Sequence, residues 1–317
     1  MTDSLYIAVS PTIMSGSLNF MRDSSNNAEA LFIKFNHLPS LHNKFHLLVI
    51  DVIKSSQTLR DTALTAKMTL ETNLKALTHI ETALANSVHA HKDVIAERTN
   101  IPANVKCKMR EWTDQLSSEL SNIKSPSPSS LTQGYLKESE QDHAEAEAAL
   151  ALLSEQKVKL QEQRKILTAA IDALSQGNPE AINKNTALTQ QSLTQLGMAS
   201  PQIALIMLAV EKMRESISKI GEGIRFIDMV KQRDTLVSNI TDQSTAITLK
   251  QKQIVVIEGK IEFINTLHNI DSQLKTYTHE YQHIIENFQV FTTQTDADFQ
   301  VHAQQFIELL NPISNPW

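Results

Sequence analysis

Glycine and proline are scarce in this chain, and both are clustered. Its 317 residues hold 7 Gly and 9 Pro, with no glycine between Gly16 and Gly134 and no proline between Pro39 and Pro102 or between Pro201 and Pro312. Turn-rich β and α/β folds need these residues at regular intervals. Their absence over long stretches points to long helices. Aromatic residues make up only 5%, which argues against a compact sheet core. The single cysteine, Cys107, excludes an internal disulfide and CxxC metal or redox sites; a buried, inert thiol is its expected state. A formal charge of −6 argues against attraction to nucleic acid phosphate, so no nucleic-acid partner is expected. No apolar run approaches the roughly 18 residues of a constitutive transmembrane helix. The start, MTDSLYIAVSPTIMSGS, lacks a basic region followed by an apolar core, so no signal peptide is expected. P-loop, dinucleotide and nucleophile-elbow motifs are absent, and no cofactor is expected.

What the chain does contain is helical periodicity. Residues 1–25 are polar and read as an N-terminal tail, either loose or ordered on contact with the rest of the chain. A short helix is predicted over 26–37, with Leu31, Phe32 and Phe35 on one side, broken by Pro39. The next is predicted over 40–100, where Leu59, Ala63, Ala66, Leu70, Leu74, Leu77, Leu84, Val88 and Ile95 follow a heptad seam. Ile101-Pro102 is expected to end it. A helix over 103–123 leads to the loop Ser125-Pro126-Ser127-Pro128-Ser129-Ser130, closed by Gly134. From 135 to 175 another helix places Leu153, Leu160, Leu167 and Leu174 seven apart. Its start is acidic (Glu138, Glu140, Glu145, Glu147), a solvated face. Gly177-Asn178-Pro179 stops it.

The last long helix is predicted from Pro201, with Ser200 as N-cap, through Met213, Ile217, Ile220, Ile224 and Ile227, then Ile254, Ile257, Ile261 and Ile264, to Leu274, Tyr277, Tyr281, Ile284, Phe288 and Phe291. Gly221 and Gly223 are expected to bend it. A terminal helix covers about 296–310. At 1.5 Å per residue the four main helices measure roughly 90, 30, 60 and 135 Å. Run alternately up and down, they form an all-α, elongated antiparallel coiled-coil bundle, a rod with an apolar helical hairpin head at one end. The expected division is a tail over 1–25, a stalk bundle over 26–134 and 232–317, and a protruding coiled coil over 135–231 whose tip lies at about 176–210.

That tip is chemically distinct. From Asn185 to Val210, 26 residues, there is no formal charge, in a chain that is 20% charged. Its first half is polar (Asn185, Thr186, Thr189, Gln190, Gln191, Thr194), and residues 203–210 are all apolar, so that helical stretch is greasy on every face. Eight residues span only about 12 Å of helix, too short to cross a bilayer alone. One reading buries the stretch inside a local bundle. The other makes it a concealed membrane-insertion hairpin, which the lack of charge favours, since charge in a bilayer core costs several kcal/mol. The candidate insertion residues are Leu196, Met198, Ile203, Leu205, Ile206, Met207, Leu208 and Val210; the candidate hinges are Gly177, Pro179, Gly197, Pro201, Gly221 and Gly223.

One motif competes. His279-Glu280-Tyr281-Gln282-His283 matches the HExxH zinc-protease signature, which puts two histidines on one helix face beside a glutamate able to polarise a metal-bound water. With Leu274, Tyr281 and Phe288 at a and Tyr277, Ile284 and Phe291 at d, however, His279 falls at f and His283 at c, away from the seam. The available third ligands (Glu286, Asp296, Asp298, His302) match no familiar spacing, so neither a metal site nor catalysis is expected. His42 and His46 share a helical spacing and read as part of a solvated face. His89 and His91 do not share a face, and Trp112 reads as packed.

These helices, the apolar 194–210 segment and the long return helix together resemble the α-helical pore-forming toxins of the cytolysin A superfamily. The similarity is strongest to the B component of the binary alpha-xenorhabdolysin-type toxins. The resemblance implies a soluble monomer, released without a conventional signal peptide, that joins a larger A-type component at a host lipid membrane and forms a ring-shaped hetero-oligomeric pore. The head would carry insertion or support the partner's. A non-enzymatic coiled-coil scaffold is the alternative, but its heptads should run through 194–210 without an uncharged apolar break.

Overall fold

The computed structural model describes residues 5–86, 92–124, 129–176, 187–216 and 223–315. Among these are eight α-helices and no strand: α1 (Pro11–Phe35), α2 (Pro39–Asn86), α3 (Lys92–Ile123), α4 (Ser129–Gln176), α5 (Gln190–Gln195), α6 (Ser200–Ser216), α7 (Phe226–Thr293) and α8 (Phe299–Ser314), with a 3-10 turn at Asp296–Asp298 before α8. The chain is all-α, as its glycine and proline positions required. It divides into two compact units, Met1–Lys137 with Gly259–Trp317, and Glu138–Glu258. α4 and α7 contribute residues to both.

The first unit is built on the seam of α7. Leu274, Tyr277, Tyr281, Ile284, Phe288 and Phe291, the assigned a and d positions, are all buried. Against them lie Leu59, Ala63, Ala66, Leu70 and Leu77 of α2, the buried stripe of α3 from Val105 to Ile123, and Phe306, Ile307 and Leu310 of α8. Phe306 stacks on Phe291 at 5.0 Å between ring centroids and meets Phe288 edge-on at 5.0 Å. Each such side chain contributes about 1.5–3 kcal/mol by leaving water. Four of the sequence's sixteen aromatics, Phe288, Phe291, Phe299 and Phe306, meet in this way between α7 and α8. Leu74 and Leu84 are half-buried and Ile95 is exposed; Val88, His89 and His91 lie outside the described residues.

Residues 11–25 are not a loose tail. They form most of α1, whose N-cap is Ser10 followed by Pro11 at the first turn, and whose C-cap is Asn36 in the left-handed region (φ 48). Its buried stripe is Met14, Ser17, Met21, Ser25 and Ala28. Two of those five are serines, so hydrophobic periodicity does not reveal the helix. The serines are accommodated by polar partners: Ser17 donates to Gln273 Oε1 at 2.9 Å, and Ser25 Oγ lies 3.5 Å from His46 Nδ1. Extended backbone before α1 is clamped to α7. Asn287 accepts from the Ile7 amide and donates to the Ile7 carbonyl, both at 2.8 Å.

Other boundaries also move. Pro102 does not end a helix; it lies within α3, with Ile101 and Pro102 buried on the core side, and that packing offsets the backbone hydrogen bond a proline removes. The described part of α2 runs to Asn86, and α3 is described from Lys92. Gly134 lies inside α4, and Pro312 inside α8. Residues 125–128 of the predicted loop lie outside the described residues, while Ser129 and Ser130 open α4. Cys107 is exposed, not buried: it falls between the inward positions Val105, Lys106 and Met109 of α3. His42 is not on a solvated face. It is buried, stacked on Phe32 with centroids 4.3 Å apart, and its Nε2 lies 3.1 Å from Glu29. Trp112 packs against the core as expected.

Candidate functional site: the uncharged head of the second unit

The second unit pairs α4 with the first part of α7. Across this pair, Gln243 donates to Gln156 Oε1 at 3.1 Å, and His143 Nε2 lies 3.5 Å from Glu258. Along α4 the leucines spaced by seven sink progressively. Leu153 and Leu160 are half-buried, and Leu167 and Leu174 are fully buried. The reason is what surrounds them: Leu167 and Leu174 sit in a core with Leu188, Leu193, Ile206, Ala209, Val210, Met213, Ile224, Met229 and Leu236. That core is where the uncharged segment folds back.

The segment is not one arm of a continuous helix. α6 and α7 are separate, and between them Gly223–Arg225 is not helical. Arg225 forms an isolated antiparallel bridge with Ala187, and the Leu188 amide donates to the Ile224 carbonyl at 2.8 Å. Gly223 is required there, because a Cβ at this position would lie 2.9 Å from the Ala187 Cβ. The Arg225 amide donates to Asp228 Oδ2 at 3.0 Å, which starts α7. Ile224, read from the sequence as helical, is therefore outside any helix, its carbonyl paired with the Leu188 amide. Of the other hinge candidates, Gly177, Pro179 and Gly221 lie outside the described residues, as do Asn185, Thr186, Ile217 and Ile220.

Local sequence explains the rest of the head. Thr189 and Ser192 form a reciprocal capping box, with the Ser192 amide donating to Thr189 Oγ1 at 3.1 Å and the Thr189 amide to Ser192 Oγ at 2.9 Å. α5 stops after one turn and a half at Gly197, whose φ of 71 suits glycine. The Ala199 amide then donates to Gln202 Oε1 at 3.1 Å, and α6 starts at Ser200 with Pro201 in its first turn.

The predicted insertion residues divide into three groups. Ile206 and Val210 are fully buried; Leu196, Met198, Ile203, Leu205 and Met207 are half-buried; Leu208 is 41% exposed. α6 is thus apolar all round for two reasons. One face builds the unit's own core, with Ala209 and Met213 beside Ile206 and Val210. The opposite face, Pro201, Ala204 and Leu208, is exposed. Around it the exposed residues are also neutral: Gln190, Gln191, Thr194, Gln195, Ala199 and Ser200. Charge resumes at Glu211 and at the Lys212–Glu215 pair, 2.8 Å apart. Among the described residues no helix is long and apolar enough to cross a membrane. Sequence reasoning missed Leu188, Leu193 and Met229 as partners of this helix, because their pattern is spread over three short elements.

The HExxH residues lie in the first unit, on α7. Tyr281 is fully buried, His279 exposed and His283 half-buried. The Glu280 carboxylate accepts the Ser10 amide at 2.8 Å, so it sits at the start of α1. Of the four available third ligands, three are engaged elsewhere: Glu286 accepts from Gln282, Asp296 pairs with Lys106, and Asp298 meets Thr295; the fourth, His302, lies on α8 and its backbone carbonyl accepts from the Tyr6 hydroxyl. The described residues contain no group of three His, Cys, Asp or Glu placed to hold a metal ion.

No family model and no curated protein matches the sequence. Solved structures do match. PaxB from Photorhabdus luminescens superposes with a TM-score of 0.80 at 17% identity, covering 96% of this chain and 96% of that one. XaxB from Xenorhabdus nematophila gives 0.76 at 16% identity, covering 96% and 97%. A chain of the XaxAB pore complex from the same organism gives 0.68 at 17% identity, covering 96% and 97%. The fold is that of the alpha-xenorhabdolysin B components over nearly the whole chain.

Proposed function

We propose that this chain is the B-type subunit of a two-component α-helical pore-forming cytolysin. It assembles with a larger A-type component on a host lipid membrane, as a hetero-oligomeric ring, and permeabilises the membrane. The observation that carries this reading is the head: an uncharged exposed surface over an apolar helix, on the fold of a protein found in the XaxAB pore complex. A bilayer core penalises charge by several kcal/mol, and here the charge is missing from 26 consecutive residues.

In this reading Leu208 and its half-buried neighbours Leu205 and Leu196 meet lipid first. Ile206 and Val210 follow only if the head core opens, with Gly197, Pro201 and Gly223 absorbing the backbone change. Because α6 is short, spanning depends on the partner or on rearrangement of adjoining segments. Release without a conventional signal peptide, and a stalk role for the first unit, belong to the same proposal. So does a non-enzymatic role, supported by the engagement of Glu280 with the start of α1 and of Tyr281 with the core.

Purified protein mixed with dye-loaded liposomes, with and without a larger A-type component, tests the proposal. Leakage that needs both components supports it. No leakage under either condition returns the chain to the scaffold reading.

A further inference from the structure

The a and d positions of α7 carry the apolar seam, and the g position beside them carries different chemistry. From Thr266 onward every seventh residue is polar: Gln273, Glu280 and Asn287. Each of the four bonds to the chain before residue 28. Asn27 Nδ2 donates to Thr266 Oγ1 at 3.5 Å, and Ser17 Oγ donates to Gln273 Oε1 at 2.9 Å. The Ser10 amide donates to Glu280 Oε2 at 2.8 Å, and Asn287 holds both backbone groups of Ile7. The partners fall from 27 to 7 as α7 rises from 266 to 287. The early segment therefore runs antiparallel along one polar ladder.

The segment so held is a poor helix former. Over Pro11–Asn27 there is no alanine, and the strong formers are Met14, Leu18, Met21 and Arg22. Serine, threonine, asparagine, aspartate and glycine make up most of the rest, and Asp23-Ser24-Ser25-Asn26-Asn27 puts five of them in a row. Isolated helices of this length are marginal in water even with good formers, so docking is what makes these residues helical. The apolar surface they bring is small. Met14, Met21 and Ala28 are buried with two serines between them, Leu18 is half-buried, and Tyr6 meets Phe306 at 5.3 Å. α8, by contrast, buries Phe299, Phe306, Ile307, Leu310 and Ile313. Beyond residue 28 the character of α1 changes: Leu31 and Phe32 pack against the core, and Phe35 lies against Gly259.

Polar contacts and an apolar seam part differently. A released amide, hydroxyl or carboxylate exchanges its partner for water at little net cost, whereas an exposed phenylalanine loses its whole transfer free energy. We propose that residues 5–27 form a detachable strap. They fold by docking on the g-position ladder of α7, and they undock and unwind as one unit. Leu31–Phe35 and the core of α2, α3, α7 and α8 stay in place meanwhile. The strap lies in the first unit and does not depend on the pore-forming reading.

Native-state hydrogen exchange on the full chain, unaltered and as Leu116→Ala, tests this under conditions where exchange reports the opening equilibrium. Leu116 is fully buried on α3, which makes none of the ladder's bonds, so its truncation weakens the core equally with the strap docked or undocked. The α1 amides before residue 28 should exchange as a group, at least about 100-fold faster than the slowest amides of α7 and α8. In Leu116→Ala those slow amides should accelerate by about 30-fold or more, and the strap amides by less than about twofold. Leu116→Val carries the same comparison if the larger truncation fails to fold. Strap amides that exchange with the slowest amides of α7 and α8, that accelerate with them, or that open residue by residue from one end overturn the proposal.

Discussion

Leu208→Asp separates lipid contact from folding. Leu208 is 41% exposed, so a carboxylate there stays hydrated in the free protein and the folding stability changes by about 1 kcal/mol or less. In a bilayer the same exchange is expensive. On insertion scales Leu contributes about −0.5 kcal/mol and Asp about +3 at the helix centre, a difference of roughly 3–4 kcal/mol per subunit. That corresponds to about two to three orders of magnitude in the insertion equilibrium, compounded in a ring by the number of subunits. Ile206→Asp is a poorer probe: Ile206 is fully buried, and an unpaired carboxylate in that core costs several kcal/mol before any membrane is met. The assay is dye release from liposomes in the presence of the larger component, with circular dichroism melts in parallel. Leu249→Asp, at a 61% exposed position of α7 outside the head, is the control. The expected result is a normal melt for Leu208→Asp, release reduced at least about tenfold, and normal release for Leu249→Asp. Full release from Leu208→Asp with an unchanged melt refutes the reasoning.

Other consequences are open to direct measurement. A Cβ on Gly259 would lie 2.1 Å from Phe35 Cε2, so Gly259→Ala should lower stability by about 1–2 kcal/mol, overpacking outweighing the better helix former. In a Phe35→Ala background the same change should instead stabilise by about 1 kcal/mol; equal effects in both backgrounds would contradict the packing. Burial, with Lys260 adding to it, holds the His37 imidazole below its usual 6.5. The unfolded chain then binds the proton more readily, so the associated stability is full above about pH 6.5 and is lost as pH falls towards the depressed folded value. His37→Gln should flatten melts between about pH 7 and pH 5, and an unchanged pH profile would exclude His37 as the source. Glu280→Gln should weaken the start of α1, whose Ser10 amide it caps, and leave membrane release unchanged; stoichiometric zinc that survives dialysis in the unaltered protein and is lost in His279→Ala would revive a metal role.

The long helices were legible because they rest on two simple signals, the spacing of glycine and proline and the heptad seam. Every a and d residue assigned from Leu274 to Phe291 is buried. Of α1 only the end, predicted over 26–37, was legible; its first fifteen residues were not, since two of the buried positions there, Ser17 and Ser25, are serines held by Gln273 and His46. Pro102 misled because the preference of the residue before proline is local, whereas Ile101 and Pro102 are held in α3 by packing. The head was legible in composition but not in path. A charge-free run shows in sequence; the Ala187–Arg225 bridge, set by one close approach at Gly223, does not. Nor could periodicity separate Ile206 from Leu208 on a helix apolar on every face.

The central claim is that the head enters lipid, and a probe on the exposed face of α6 tests it most directly. Cys107, being exposed, is first replaced by serine; Leu208→Cys then carries an environment-sensitive fluorophore. With liposomes and the larger component present, the account predicts a blue-shifted emission that lipid-borne quenchers extinguish. Emission that stays aqueous and unquenched while the same liposomes leak would contradict it.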